Sequence, residues 1–226
     1  MKTIILCGGK GERLKPLTHE IPKPMVQIKG YPIIWYILKQ LEKFDVDDIY
    51  IMVGYKSSVI KTYFNNNFNH LKIKIIDDGE VDIIERIKSA IRISPNEDAL
   101  ILYGDTISDV NIKELMEFSN QNIKSGTLTV WPLSTNFGVV EINEKMEITG
   151  FKEKPKLDKW INIGYFHLKK ELFGLIYDFS KFEEFLKYSA ESGRLSAFKH
   201  QGEHFTVNNL VELANVEQNI EKSFNF

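Results

Sequence analysis

The chain predicts an α/β fold: a mostly parallel sheet flanked by helices, continued by a strand-rich second half. Three observations lead there. Apolar runs of strand length alternate with segments of helical periodicity through the first hundred residues, the pattern of a parallel sheet covered by helices. Two of those runs close on Gly8-Gly9 and on Gly104-Asp105, at the strand carboxyl ends where such sheets bind ligands. After about residue 126 the pattern changes to closely spaced strands separated by turn residues.

Residues 3–7 read as the first strand. Residues 32–44 read as a helix, with Ile33, Ile34, Ile37, Leu38 and Leu41 at helical spacing and Pro32 suited to its first turn. A strand at 48–53 is followed by a helix at 57–64 opened by a Ser57 cap. Another strand at 72–76 leads to a helix at 82–91 and to a buried strand at 99–103. Beyond Gly126, strands are expected at 127–131, 138–142 and 147–151, with a hairpin turn at 143–146. A strand at 160–168 and helices near 182–191 and 211–222 complete the chain. No linker, repeat or low-complexity tract divides it. Residues 1–226 therefore read as one domain, with halves of about 1–125 and about 126–226.

The 226 residues are 43% hydrophobic and carry a net charge of −2, an ordinary soluble balance without the basic excess that nucleic acid demands. Cys7 is the single cysteine and reads as a small core hydrophobe. His19, His70, His167, His200 and His204 show no zinc-ligand spacing. No stretch is long enough for a membrane span, and the first apolar run is too short for a signal peptide. A reducing cytoplasm is the expected location. Phe179, Phe182, Phe185 and Tyr188 read either as core or as a contact in a homo-oligomer.

The chemistry concentrates after the first strand, in Gly8-Gly9-Lys10-Gly11-Glu12-Arg13-Leu14, with Pro22-Lys23-Pro24 shortly beyond. Glycine backbone can approach a bulky anion and point N–H groups at it, while Arg13 and Lys23 bracket phosphates with positive charge. That combination points to a nucleoside triphosphate site. A Walker loop is excluded, because no Gly-Lys-Ser/Thr follows. The dinucleotide fingerprint is excluded too, because Leu14 and Pro16 occupy the place of its third glycine. Asp105 emerges at a strand end, where it would cap a loop or, with substrate phosphates, hold a magnesium ion.

From Gly8 to Val26 the string resembles the signature of the nucleotide-sugar pyrophosphorylases (sugar-1-phosphate nucleotidylyltransferases), Gly-Gly-x-Gly-Thr-Arg-Leu, then Pro-Lys-Pro-Met-Val. Glu12 stands where that family has threonine. The stretch from Tyr103 to Ile112 looks like that of glucose-1-phosphate cytidylyltransferases, as do Glu153-Lys154-Pro155, Trp160-Ile161-Asn162 and the run Gly193–His200. The resemblance implies a Rossmann-like sheet of the nucleotide-diphospho-sugar transferase type and covers nearly the whole chain. It implies catalytic roles for Arg13 and Lys23, and nucleotide contacts at Leu6, Gly8, Gly9, Gly11, Gly79 and Gly104. It implies sugar-phosphate contacts at Glu153, Lys154 and Asn162. Asp105 is implied as a magnesium ligand, with Asn208 at the place of the family's second metal-binding aspartate.

An amide there removes one negative charge, so weaker magnesium binding or a preference for manganese is expected. The segment 77–86, where the family reads the base, keeps only Gly79 and Arg86 of the usual pattern. The expected reaction joins an NTP, CTP by overall similarity, to a sugar 1-phosphate with release of pyrophosphate. The alternatives are GTP with mannose or heptose 1-phosphate, CTP with a non-sugar phosphomonoester, and nucleotide binding without turnover. Trp160 reads as packing rather than as a sugar platform, and Asp109 as structural.

Overall fold

The computed structural model describes residues 1–46 and 48–224. In chain order the strands and helices of the first half are β1 (Lys2–Leu6), β2 (Gln27–Ile28), β3 (Tyr31–Pro32), α1 (Ile33–Lys43), β4 (Asp48–Val53), α2 (Ser57–Phe64), β5 (Lys72–Asp77), α3 (Ile83–Ile93), β6 (Ala99–Tyr103), β7 (Thr106–Ser108) and α4 (Ile112–Gln121). The second half supplies β8 (Gly126–Ser134), β9 (Val139–Ile142), β10 (Ile148–Lys152), β11 (Lys156–Leu168), α5 (Phe173–Ile176), α6 (Phe182–Glu191), β12 (Leu195–Lys199), β13 (His204–Thr206) and α7 (Leu210–Ser223).

Seven strands form one sheet in the order β12-β8-β11-β6-β1-β4-β5. β5, β4, β1 and β6 are mutually parallel, β11 runs against β6 and β8, and β12 is parallel to β8. The sheet is therefore mostly parallel, as the sequence predicts, with β11 alone reversed. Period-two alternation sorts its side chains between two layers. Ile5, Ile49, Ile51, Leu100 and Leu102 enter the core shared with α1 and α4. Ile4, Tyr50, Met52, Ile101 and Phe166 enter the opposite core, shared with α3 and α6. Phe182 and Phe185 belong to this second core, so packing accounts for both without a subunit contact.

Several expectations need correction. Ser57 is not a cap: it is the first helical residue, Lys56 precedes it in the left-handed region, and the Ser57 hydroxyl donates to Asp77 at 2.7 Å. Trp160 stays 40% exposed, with the Lys199 ammonium 4.7 Å from its ring. The turn at 143–146 forms as expected, closed by the Met146 N–H on Asn143 and the Asn143 N–H on Glu147. Strands β12, β13 and β7 carry no strong alternation and emerge only with the fold. Among the described residues no helix is long and apolar enough to cross a membrane.

Candidate active site

Parallel strands bring their carboxyl ends to one edge, and here each ends on a glycine: Gly8 after β1, Gly54 after β4, Gly79 after β5 and Gly104 after β6. A cleft of about 430 Å³ opens along this edge. Leu6, Gly8, Gly9, Gly11, Arg13, Lys23, Gly104, Asp105 and Asn208 all line it. Arg13 and Asn208 among them lie 195 positions apart in sequence.

The polar centre of the cleft is a compact ring of contacts. Lys23, whose side chain is 10% exposed, donates from Nζ to Asp105 Oδ2 at 2.6 Å and to Asn208 Oδ1 at 3.0 Å. Arg13 Nη2 donates to the same Asn208 oxygen at 3.0 Å. One carboxylate and one amide oxygen thus converge on a single positive charge, with a guanidinium alongside. Two hard oxygens that share a cation suit magnesium or manganese, with substrate phosphates completing the ligand set. Among the described residues no group of three His, Cys, Asp or Glu side chains forms a metal cluster.

Each glycine of the loop has its own physical cause. A Cβ on Gly8 would overlap the Arg86 guanidinium, whereas Gly9 faces open space. Gly11 is left-handed, with φ of 63°, a conformation that favours glycine. Arg86 is 3% exposed and joins three strand-end turns, donating to the carbonyl of Gly8 after β1 at 3.5 Å, to that of Val53 at the end of β4, and to those of Gly79 at 2.7 Å and Val81 at 3.3 Å after β5. Lys10 pairs with Glu80 at 2.8 Å across two of these turns. Glu12 turns to Lys15, which holds its carboxyl below the usual range, and so relieves the repulsion its charge would exert on a bound anion. Cys7 is buried beneath the loop, and burial pushes its thiol up, away from reactivity.

The second half contributes less to the cleft. Gly79, from the first half, does not line the cleft; its φ is 68°, and Asp77 beside it is held down to about 2 by Lys61 first and Ser57 next. Glu153 and Lys154 are exposed in the turn between β10 and β11 and do not line the cleft. Lys154 has φ of 46°, a left-handed backbone for a non-glycine residue. Asn162 accepts from the Gly164 N–H at 2.9 Å and does not itself line the cleft, whereas Tyr103 does. Burial raises the Tyr103 phenol to about 12, with Glu183 and Asp105 adding to it. Tyr103 opens the stretch that carries the resemblance but receives no role from the sequence, and Glu183 escaped sequence reasoning because it belongs to no recognisable spacing. Asp109 is structural: it pairs with His200 at 2.9 Å and accepts from the Glu203 N–H at 2.7 Å.

The family model for nucleotidyl transferases matches residues 2–201. Over 229 residues, 89% of each chain, the sequence is 34% identical to a glucose-1-phosphate cytidylyltransferase of Salmonella typhi. It is also 34% identical over 194 residues to a D-glycero-alpha-D-manno-heptose 1-phosphate guanylyltransferase of Campylobacter jejuni, covering 83% of this chain and 85% of the relative. In fold it superposes on a putative glucose-1-phosphate thymidylyltransferase from Bacillus anthracis with a TM-score of 0.80, at 20% identity, covering 100% and 97% of the two chains.

Proposed function

This chain belongs to the nucleotidyl transferase family, among the sugar-1-phosphate nucleotidyltransferases, and within it we propose transfer of a cytidylyl group from CTP to a sugar 1-phosphate. The observation that carries this reading is the meeting of Arg13, Lys23, Asp105 and Asn208 beside the glycine loop. An oxygen of the sugar phosphate attacks the α-phosphorus of the nucleotide, and the bond to pyrophosphate breaks. The nucleophile is already anionic near neutral pH, so no general base is required. Catalysis is then positioning and charge neutralisation.

In this reading the amides of Gly8, Gly9 and Gly11 hold the triphosphate, with Leu6, Gly79 and Gly104 against the nucleoside. Arg13 steadies the departing pyrophosphate, and Lys23 lies between the two reacting phosphates. Lys154 holds the incoming phosphate while Glu153 and Asn162 hydrogen-bond sugar hydroxyls. Asp105 and Asn208 are the residues that would hold a divalent ion, magnesium or manganese, whose chemistry there is to neutralise phosphate oxygens. Identity to the cytidylyl relative over 89% of both chains supports CTP. Equal identity to the guanylyl relative, over a shorter span, supports GTP with a heptose 1-phosphate as the second reading.

Pyrophosphate release across four NTPs and a panel of sugar 1-phosphates, with each metal, tests both. The fastest turnover is expected with CTP and glucose 1-phosphate. Faster turnover with GTP and a heptose or mannose 1-phosphate replaces the first reading by the second. Nucleotide binding without release under every combination overturns the assignment of enzyme activity.

A further inference from the structure

We infer that Glu212 is a positioning residue for the cleft: its carboxylate requires an amide at position 208 and turns that amide's oxygen toward Arg13 and Lys23. Glu212 Oε2 accepts from the Asn208 backbone N–H at 2.9 Å, from Asn208 Nδ2 at 3.1 Å and from the Thr206 hydroxyl at 3.2 Å. Its other oxygen accepts from Asn209 Nδ2 at 2.9 Å, while the Glu212 N–H donates to Asn209 Oδ1 at 2.9 Å. That second pair is a reciprocal cap on the first turn of α7. One carboxylate therefore closes the helix and grips the cleft residue in front of it.

The grip has one solution. With Nδ2 on Glu212, Asn208 Oδ1 is left to accept from Arg13 and Lys23, each at 3.0 Å. Rotating the amide by half a turn would set its NH2 against two cationic donors and its oxygen against a carboxylate. Every side-chain contact would become repulsive. An aspartate at 208 meets the same obstacle, because its second oxygen would stand at hydrogen-bond distance from Glu212 with no proton between them. The amide at 208 is thus the partner that Glu212 demands, and it gives Arg13 and Lys23 a common acceptor.

The activity arm of the test rests on the proposed nucleotidyl transfer; the stability arm does not. Wild type, Glu212→Gln, Asn208→Asp and the double variant are compared by thermal unfolding and by steady-state pyrophosphate release. Asn208→Asp is expected to unfold at lower temperature than wild type, and adding Glu212→Gln is expected to bring the midpoint back up. A double variant that unfolds at or below Asn208→Asp overturns the inference. If Asn208→Asp does not fold, a folded double variant supports it and an unfolded one overturns it. Glu212→Gln alone is expected to lower kcat about tenfold with KM for the nucleotide moved less than about threefold. A residue serving only as a helix cap would lower the unfolding midpoint and leave kcat within twofold, and that result overturns the positioning role. Absence of turnover in wild type with every substrate pair removes the proposed function, while the unfolding comparison still decides whether Glu212 demands the amide.

Discussion

The glycine-loop wall of the cleft, proposed to hold the nucleotide, and the residues proposed to meet the acceptor are built by different means. On the first side, four parallel strands deliver Gly8, Gly54, Gly79 and Gly104 to one edge, so backbone topology alone brings Asp105 beside the glycine loop. Buried cations then fix that edge: Lys23 between Asp105 and Asn208, and Arg86 beneath three turns. On the second side, Glu153 and Lys154 ride in an exposed turn between β10 and β11, outside the cleft. A parallel sheet forces convergence at its carboxyl edge, whereas the exposed turn that joins β10 of the small sheet to β11 of the large one is under no such constraint. Substitutions on the first side should therefore damage turnover or stability, and those on the second side should alter acceptor affinity.

The largest effect that could break this contrast lies at the polar centre. Lys23→Ala removes the shared donor of Asp105 and Asn208, and it is expected to lower kcat by about a hundredfold or more. Arg13→Ala, which removes the second donor to Asn208, is expected to do likewise. Pyrophosphate release on protein whose circular dichroism matches wild type checks both. Near-normal turnover in either would mean that the ring is structural only.

A pH-dependent effect follows on β11, the strand shared by both sides. His167 is fully buried, its Nδ1 is 2.6 Å from the Ser119 hydroxyl, and burial lowers its imidazole to about 4. The folded state therefore binds this proton less readily than the unfolded chain, whose histidine titrates near about 6.5. Stability from this group is complete above about pH 6.5 and falls by roughly 1.4 kcal/mol per pH unit toward about pH 4. His204, which burial also lowers to about 4, adds to the same fall, so urea unfolding at pH 7, 6 and 5 is expected to show a steeper loss in wild type than in His167→Gln, the difference being the slope of this one group. Equal slopes in the two proteins would assign the acid loss to other groups.

How much of this was legible in the sequence follows the same division. The strand at Asp48–Val53 and the helix at Phe182–Glu191 are read with their observed bounds, because long apolar runs and strong 3.6-residue periodicity dominate there. The meeting of Arg13, Lys23, Asp105 and Asn208 follows from separated motifs once a parallel sheet is accepted. What the sequence hid depends on long-range packing. Nothing local says that Arg86 enters three turns, and Gly54 carries no motif even though its missing Cβ leaves room for that guanidinium. The Ser57 cap failed because a left-handed Lys56 takes the N-cap position, which makes Ser57 the first helical residue and leaves its hydroxyl to donate to Asp77, twenty residues away.

Gly8 and Gly9 separate the two causes of the glycine loop. Gly8→Ala places a methyl group on the buried Arg86 guanidinium, and a cost of about 1–3 kcal/mol is expected in urea unfolding. Gly9→Ala meets no neighbour and should stay within about 0.5 kcal/mol of wild type. Its expected effect is instead a higher KM for the nucleotide, since a methyl group there would crowd the approaching triphosphate. Equal stability losses would remove Arg86 as the reason for a glycine at position 8.

The smallest effect belongs to the acceptor side. Lys154 is exposed and makes its contact, in the proposed reaction, only with the incoming phosphate, so truncation leaves the nucleotide wall intact. Lys154→Ala is expected to raise KM for the sugar 1-phosphate about tenfold, the scale of one lost charged hydrogen bond, with KM for the nucleotide unchanged. Its left-handed φ of 46° adds a second handle. Lys154→Gly relieves that conformation while removing the same ammonium, so it should match Lys154→Ala in KM and equal or exceed it in unfolding stability. A large fall in kcat with acceptor KM unchanged would instead place Lys154 on the reacting phosphates in the transition state, and the division between the two sides would disappear.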